Sequence, residues 1–241
     1  MNSKQLLWKT EREFSERLHK EYSTATLALV ERFKRYHKYM ITVTHIQPGR
    51  SISPNELFVE MSDIYQLLQD NIFTQRHKGQ IPERLRPLLL FFLDINGSKG
   101  SGSTALSELK EADGKAIKDL HAHGILFLNP DTYKQFEPEL NMRFGPYIIH
   151  FQPFDKKKFS TSSGYISKMI AAAKLTNIDL CQGYLYHSKV RKSITPEELG
   201  NFSVTPQAAN TNEVQCIHLE TQPPKPSSPD ARSCFINTIS K

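Results

Sequence analysis

Only three cysteines occur in the 241 residues: Cys181, Cys216 and Cys234, all in the last quarter of the chain. They are too few and too scattered for a disulfide framework, and with no CxxC pair they do not form a zinc knuckle. A reducing compartment is the expectation. No run approaches the ~18 apolar residues of a membrane-crossing helix. The opening stretch "MNSKQLLWKTEREFSERLHKEYS" is charged throughout and has no apolar signal-peptide core. The expectation is a soluble, cytoplasmic protein that makes no use of a membrane. A GxxxxGK[ST] phosphate loop is also missing, so any strand separation would fall to another protein.

Charge is not balanced. The formal net charge is +6 and the isoelectric point near 9.1, which suits a polyanionic partner such as nucleic acid. The stretch "RFKRYHKY" mixes bases with aromatics, a combination that can hold a backbone and stack on bases or simply form a solvated helix end. Arg32, Arg35 and Lys38 here, with Lys99, Lys110 and Lys115 further on, are the candidate contacts to DNA phosphates.

Apolar spacing predicts a helix from residue 4 to about 38. "YMITVTHI" (39–46) reads as a β-branched strand. Ser53, Pro54 and Glu56 make a capping box with proline in the first turn, and the stripe Leu57, Met61, Ile64, Leu67 and Leu68 follows on a helix. "RPLLLFFLDI" (86–95) is apolar on both faces and should be a central strand. A long Gly/Ser-rich polar insertion leads to a third strand, "DLHAHGILFL" (119–128). "NPDTYKQFEPEL" predicts a short helix, "PYIIHFQPF" a fourth strand and "STSSGYISKMIAAAK" another helix. The Pro/Ser/Asn/Thr-rich end cannot bury enough apolar surface to offset its ordering entropy. The expected organisation is a helical extension over 1–38, one domain over 39–190 and a mostly disordered tail over 191–241. Fold class is α+β: the order strand, helix, strand, strand, helix, strand matches a ferredoxin-like split β-α-β-β-α-β unit on an antiparallel sheet.

His121 and His123 stand one residue apart on the third strand. Strand side chains alternate, so both imidazoles share a face with Ile125 and Phe127, close enough to bind one ion. With nine histidines in the chain, a His-x-His is expected about 0.3 times by chance, so a hydrogen-bonded structural pair is the alternative. Two same-face imidazoles without a partner are, however, a costly core filling. Asp94 ends the preceding strand. If the two strands pair antiparallel, its carboxylate reaches the histidines, unless it only caps the turn at Asn96-Gly97. Two nitrogens and one hard oxygen with open positions suit Mg²⁺ or Mn²⁺ carrying a phosphate.

A metal that polarises a phosphodiester needs a nucleophile. Tyr165 and Lys168 lie three apart on the predicted helix after the fourth strand, where an ammonium favours the phenolate. A second Tyr-x-x-Lys exists at Tyr186 and Lys189.

At this point the sequence resembles the HUH endonuclease superfamily, in particular its rolling-circle replication initiators with a single catalytic tyrosine. The strand "MITVTHI", then His121-Ala122-His123 on a strand, then Tyr165-Ile166-Ser167-Lys168 on a helix follow the order of that family's three motifs, over residues 38–178. The resemblance implies that His121, His123 and Asp94 bind Mg²⁺ or Mn²⁺. It implies that Tyr165 attacks a phosphodiester of single-stranded DNA or an origin hairpin, leaving a 5′-phosphotyrosine and a free 3′-OH. It also implies reliance on a host helicase and polymerase. Ala122 is smaller than the family's usual central residue, and the insertion before His121 is long. A single-tyrosine transposase of the same superfamily and a non-enzymatic ferredoxin-like nucleic-acid-binding module are the competing readings.

Overall fold

The computed structural model describes residues 3–73, 81–95, 116–133, 139, 141–155, 182–188 and 190–204, with side chains from residue 13 onward. In chain order the elements are α1 (Ser3–Arg32), β1 (His37–His45), β2 (Ser51–Ile52), α2 (Pro54–Ile72), β3 (Leu88–Ile95), β4 (Ile117–Lys118) and β5 (Leu120–Leu128). They continue with α3 (Pro130–Tyr133), β6 (Asn141–Phe144), β7 (Tyr147–Pro153), β8 (Gly183–His187), β9 (Val190–Ile194) and α4 (Pro196–Asn201). The fold is α+β. Its centre is a seven-stranded antiparallel sheet in the order β6-β7-β1-β5-β3-β8-β9, and β2 pairs with β4 beside it.

Hydrophobic pattern explains which strands are central. Every residue of β3 and of β5 is buried, as their two-sided apolar sequences require. On one face, α2 sets Leu57, Met61, Ile64, Tyr65 and Leu68 against Ile41, Val43, Phe91, Leu93 and Ala122. On the other, α1 sets Tyr22, Ala25, Leu29 and Phe33 against Leu88, Leu90, Phe92, Ile125 and Phe127. The start of α2 is fixed as its sequence predicts: the Ser53 hydroxyl accepts from the Glu56 N–H, and the Glu56 carboxylate accepts from the Ser53 N–H.

Strands β2, β4, β6 and β8 are additional to those expected from the sequence, and two further differences concern the ends of the expected domain. Helix α1 ends at Arg32, and the chain turns through Phe33 and Tyr36 so that β1 begins at His37. There, pairing with β5 and β7 outweighs a helical preference that is weak for Tyr and His. Second, ordered elements run past residue 190. β9 pairs with β8, and α4 follows with its own capping box of Thr195 and Glu198 and packs along α1. The rest of the expected tail, 205–241, lies outside the described residues. So do most of the polar insertion, 96–115, and the helix expected at 160–174. No described helix is long and apolar enough to cross a membrane.

Candidate metal centre

Strands β3 and β5 pair in a register that puts Asp94 opposite His121 and Phe92 opposite His123. Residues directly opposite in an antiparallel pair share a face. The carboxylate and both imidazoles therefore lie on the α1 side of the sheet, the side of Phe92 and Ile125, at the end where β3 finishes and β5 begins. All three are buried, with 1% exposure for Asp94 and 7% for each histidine.

The ligand atoms converge. Asp94 Oδ2 lies 3.0 Å from His123 Nε2 and 3.5 Å from His121 Nε2, and the two Nε2 atoms are 3.2 Å apart. Three ligands on adjacent corners of an octahedron with bonds of about 2.1 Å are separated by about 3.0 Å, and on a tetrahedron by about 3.4 Å. Two of the observed spacings fall in that range and the third, 3.5 Å, lies just above it. Among the described residues, Asp94, His121 and His123 could hold a metal ion together.

The surrounding hydrogen bonds set which nitrogen faces the centre. His121 Nδ1 is 2.9 Å from the carbonyl oxygen of Asp119. A carbonyl only accepts, so Nδ1 carries a proton and Nε2 is left with its lone pair when the ring is neutral. His123 Nδ1 is 2.9 Å from the Thr42 hydroxyl of β1, which can accept in the same way. Asp94 Oδ1 accepts from the Ile95 N–H at 2.8 Å, which turns Oδ2 inward. When Thr42 accepts from His123 Nδ1, two imidazole lone pairs and a carboxylate oxygen face one another within 3.5 Å, an arrangement that a cation among them relieves. Such outer partners orient ligands in metal sites.

Asp119 is the pivot of this arrangement. Its backbone is left-handed (φ +54°), a conformation that Asp tolerates better than most residues. Its carboxylate accepts from the Gly49 N–H at 2.6 Å, and its own N–H donates to the Arg50 carbonyl at 2.9 Å. The loop after β1 is thereby tied to the residue whose carbonyl holds His121.

The other candidate residues are placed unevenly. The Arg32 guanidinium donates to the carbonyls of Gly200 and Phe202 at the end of α4, so its charge is engaged there. Arg35 is exposed, and Lys38 donates to the Lys34 and Tyr36 carbonyls. Lys38 pairs with Phe127, four residues along β5 from His123 and towards the far end of the sheet. Lys99, Lys110, Lys115, Tyr165, Lys168 and Lys189 lie outside the described residues. Tyr186 is on a strand, not a helix. It is buried on the α2 side, donates to the Phe58 carbonyl at 2.7 Å, and burial holds its phenol well above the ordinary value.

Sequence reasoning missed Thr42, whose role appears only once β1 is aligned with β5, and Asp119, which it read as a strand residue. It also missed a cavity of about 190 Å³ beside the centre, lined by residues of "THIQPGR", His121 and Tyr147. No known protein family, curated protein or solved structure matches this chain.

Proposed function

We propose that the chain is a metal-dependent DNA nickase and strand transferase of the HUH endonuclease type, acting as a single-tyrosine initiator of rolling-circle replication. The observation that carries this reading is the convergence of Asp94 Oδ2, His121 Nε2 and His123 Nε2 on one point. Two nitrogens and one carboxylate oxygen leave coordination positions open for phosphate oxygens and water, which favours Mg²⁺ or Mn²⁺. The same ligand set would be redundant in a module that only binds nucleic acid.

The strand order supports a finer reading of the fold. The order β7-β1-β5-β3 is compatible with a split β-α-β-β-α-β unit, to which β8 and β9 would be added at one edge and β6 at the other. Tyr165 and Lys168 lie outside the described residues, and their role rests on the sequence resemblance.

The other tyrosines are poorly suited. The hydroxyls of Tyr22, Tyr36, Tyr65 and Tyr186 donate to backbone carbonyls. Tyr39 and Tyr184 are buried on the α2 side, and Tyr133 stacks on His37 at the start of β1, at the far end of the sheet. Tyr147 is buried on the α2 side as well.

In the proposed reaction the Tyr165 oxygen bonds to phosphorus and the P–O3′ bond breaks. The phenolic proton passes to solvent, and the departing oxygen takes up a proton to become a 3′-OH. Lys168 favours the phenolate and offsets phosphate charge. A bound ion supplies Lewis acidity to the non-bridging oxygens. The phosphotyrosyl bond keeps the energy of the broken linkage, so a 3′-OH can reverse the step and rejoin DNA.

Labelled single-stranded oligonucleotides incubated with the protein and Mn²⁺ should yield a covalent adduct on a denaturing gel, with the label on a peptide containing Tyr165. Tyr165→Phe should form none, and Tyr186→Phe should remain active. A full adduct yield from the His121→Ala/His123→Ala double variant would contradict the proposal.

A further inference from the structure

Two rows of side chains cross the α1 side of the sheet through the metal centre, and they change character there. Opposite residues in antiparallel strands share a face. One row runs Asn141, His150, Thr42, His123, Phe92 and Gly183, from β6 through β7, β1, β5 and β3 to β8. The neighbouring row carries Arg143, Ile148 and Thr44 on β6, β7 and β1 and continues to His121 and Asp94.

Helix α1 closes one side of the centre. The Tyr22 ring meets Phe92 edge-on at 5.4 Å, and its hydroxyl donates to the Ile194 carbonyl of β9 at 2.7 Å. A Cβ on Gly183 would sit 3.1 Å from the same ring. The other side is open. Asn141, Arg143, Thr44, His150 and Gln152 are exposed, and no residue that β1, β7 or β6 turns to this face is buried. On the reverse of the same strands Ile41, Val43, Ile149 and Phe151 are buried under α2. The uncovered half extends three strand spacings from β5, about 14 Å.

The chemistry of this half-face suits a polyanion held by its backbone. Arg143 supplies positive charge, Thr44, Asn141, His150 and Gln152 supply hydrogen-bonding groups, and none of its described side chains is acidic. Arg, Thr, Asn and Gln are ordinary partners of phosphate and sugar oxygens. Met40 and Ile148 are too little apolar surface for the core of a protein interface. With no aromatic ring on this part of β1, β7 and β6, bases have no stacking platform, so contact falls to the backbone. The row is ordered up to the ligand itself: His150 Nδ1 lies 2.7 Å from Asn141 Oδ1, and Thr42 holds His123.

We propose that this uncovered half-face is the bed along which one strand of DNA reaches the metal centre, held through its sugar-phosphate backbone. The inference rests on the nuclease reading for the identity of the polymer. Because α1 closes the β3-β8-β9 side, nucleotides on one side of the scissile phosphate lie on the bed, and those on the other side leave the sheet.

Fluorescence anisotropy of a labelled, mixed-sequence single-stranded oligonucleotide tests it on the full chain, in a chelator so that no ion can hold the phosphate. Wild type should bind. His150→Glu/Gln152→Glu places two like charges against the phosphates and should bind at least about ten-fold more weakly while it retains Mn²⁺. Arg143→Gln, a milder change, should lower the slope of log affinity against log salt by about 0.7, the share of one phosphate contact on a single strand. Val59→Glu/Leu67→Glu adds the same charge to the outward face of α2, across the sheet, and should bind as wild type. No binding by wild type, an equal loss in the α2 variant, or unchanged affinity and slope in the β7 and β6 variants overturns the bed. The nuclease reading fails separately: binding with this pattern in a protein that forms no adduct contradicts the nickase and leaves the bed standing. Where adducts form, shortening the oligonucleotide towards the nick should reduce their yield from one end only. Equal losses from both ends overturn the one-sided bed.

Discussion

One hydroxyl from β1 reaches the candidate metal centre on β3 and β5. Thr42 contributes one oxygen, 2.9 Å from His123 Nδ1, and keeps the other nitrogen of that ring turned to Asp94. Thr42→Val preserves shape and β-branching but removes the hydrogen bond. Loss of such outer partners typically weakens metal binding by about 10- to 100-fold. Thr42→Val should therefore bind Mn²⁺ at least about ten-fold more weakly with little change in melting temperature. Unchanged affinity in a calorimetric titration would mean that His123 is oriented by its packing alone.

Strands β3 and β5 carry both the core and the candidate site, and the sequence made each visible to a different degree. The two-sided apolar run of β3 marks it as central, and strict alternation in β5 puts His121 and His123 on one face with Ile125 and Phe127. Asp94 was reachable because it ends β3, so antiparallel pairing alone brings it opposite His121. Thr42 was not, because its link to His123 spans 81 residues and depends on register. β8 and β9 were missed for a related reason. "GYLYH" and "VRKSI" are short, and their strand character comes from pairing with β3 and with each other. The capping signal "TPEE" of α4 was present but overshadowed by the polar composition around it. The same strand pair explains Gly124. A Cβ there would sit 2.2 Å from the Leu90 carbonyl oxygen and 2.8 Å from Phe91 Cβ. Gly124→Ala should therefore destabilise the protein by about 1–3 kcal/mol, as overpacking does, read from the denaturant midpoint. A neutral result would show that β3 and β5 can part without cost.

Among the described residues α1 and α2 cover the two faces of the seven-stranded sheet, and stability should depend on acid through histidines that the fold buries. Burial holds His187 below its ordinary value, although its Nε2 lies 3.1 Å from the Glu83 carbonyl, and burial lowers His19 in the same direction. Each is favoured in its neutral form when folded, so the unfolded chain binds more protons as pH falls. The stabilising contribution is complete above the unfolded value of about 6.5 and is lost as pH falls through the lowered folded value. Urea midpoints should drop on going from pH 7.5 to 5.5, and His187→Gln should flatten part of that slope. An identical slope in the variant would remove His187 from the account.

At that same level, the central strands of the seven-stranded sheet bring a carboxylate and two imidazoles to a single buried point. Titration of the full-length protein with Mn²⁺, followed by loss of the free-ion electron paramagnetic resonance signal, reads this claim without any DNA. One ion should bind per wild-type chain, and none at the same concentrations in His121→Ala/His123→Ala, with Asp94→Ala weakened in between. Equal binding by wild type and the double variant, or no binding by wild type, would contradict the metal centre and with it the proposed chemistry.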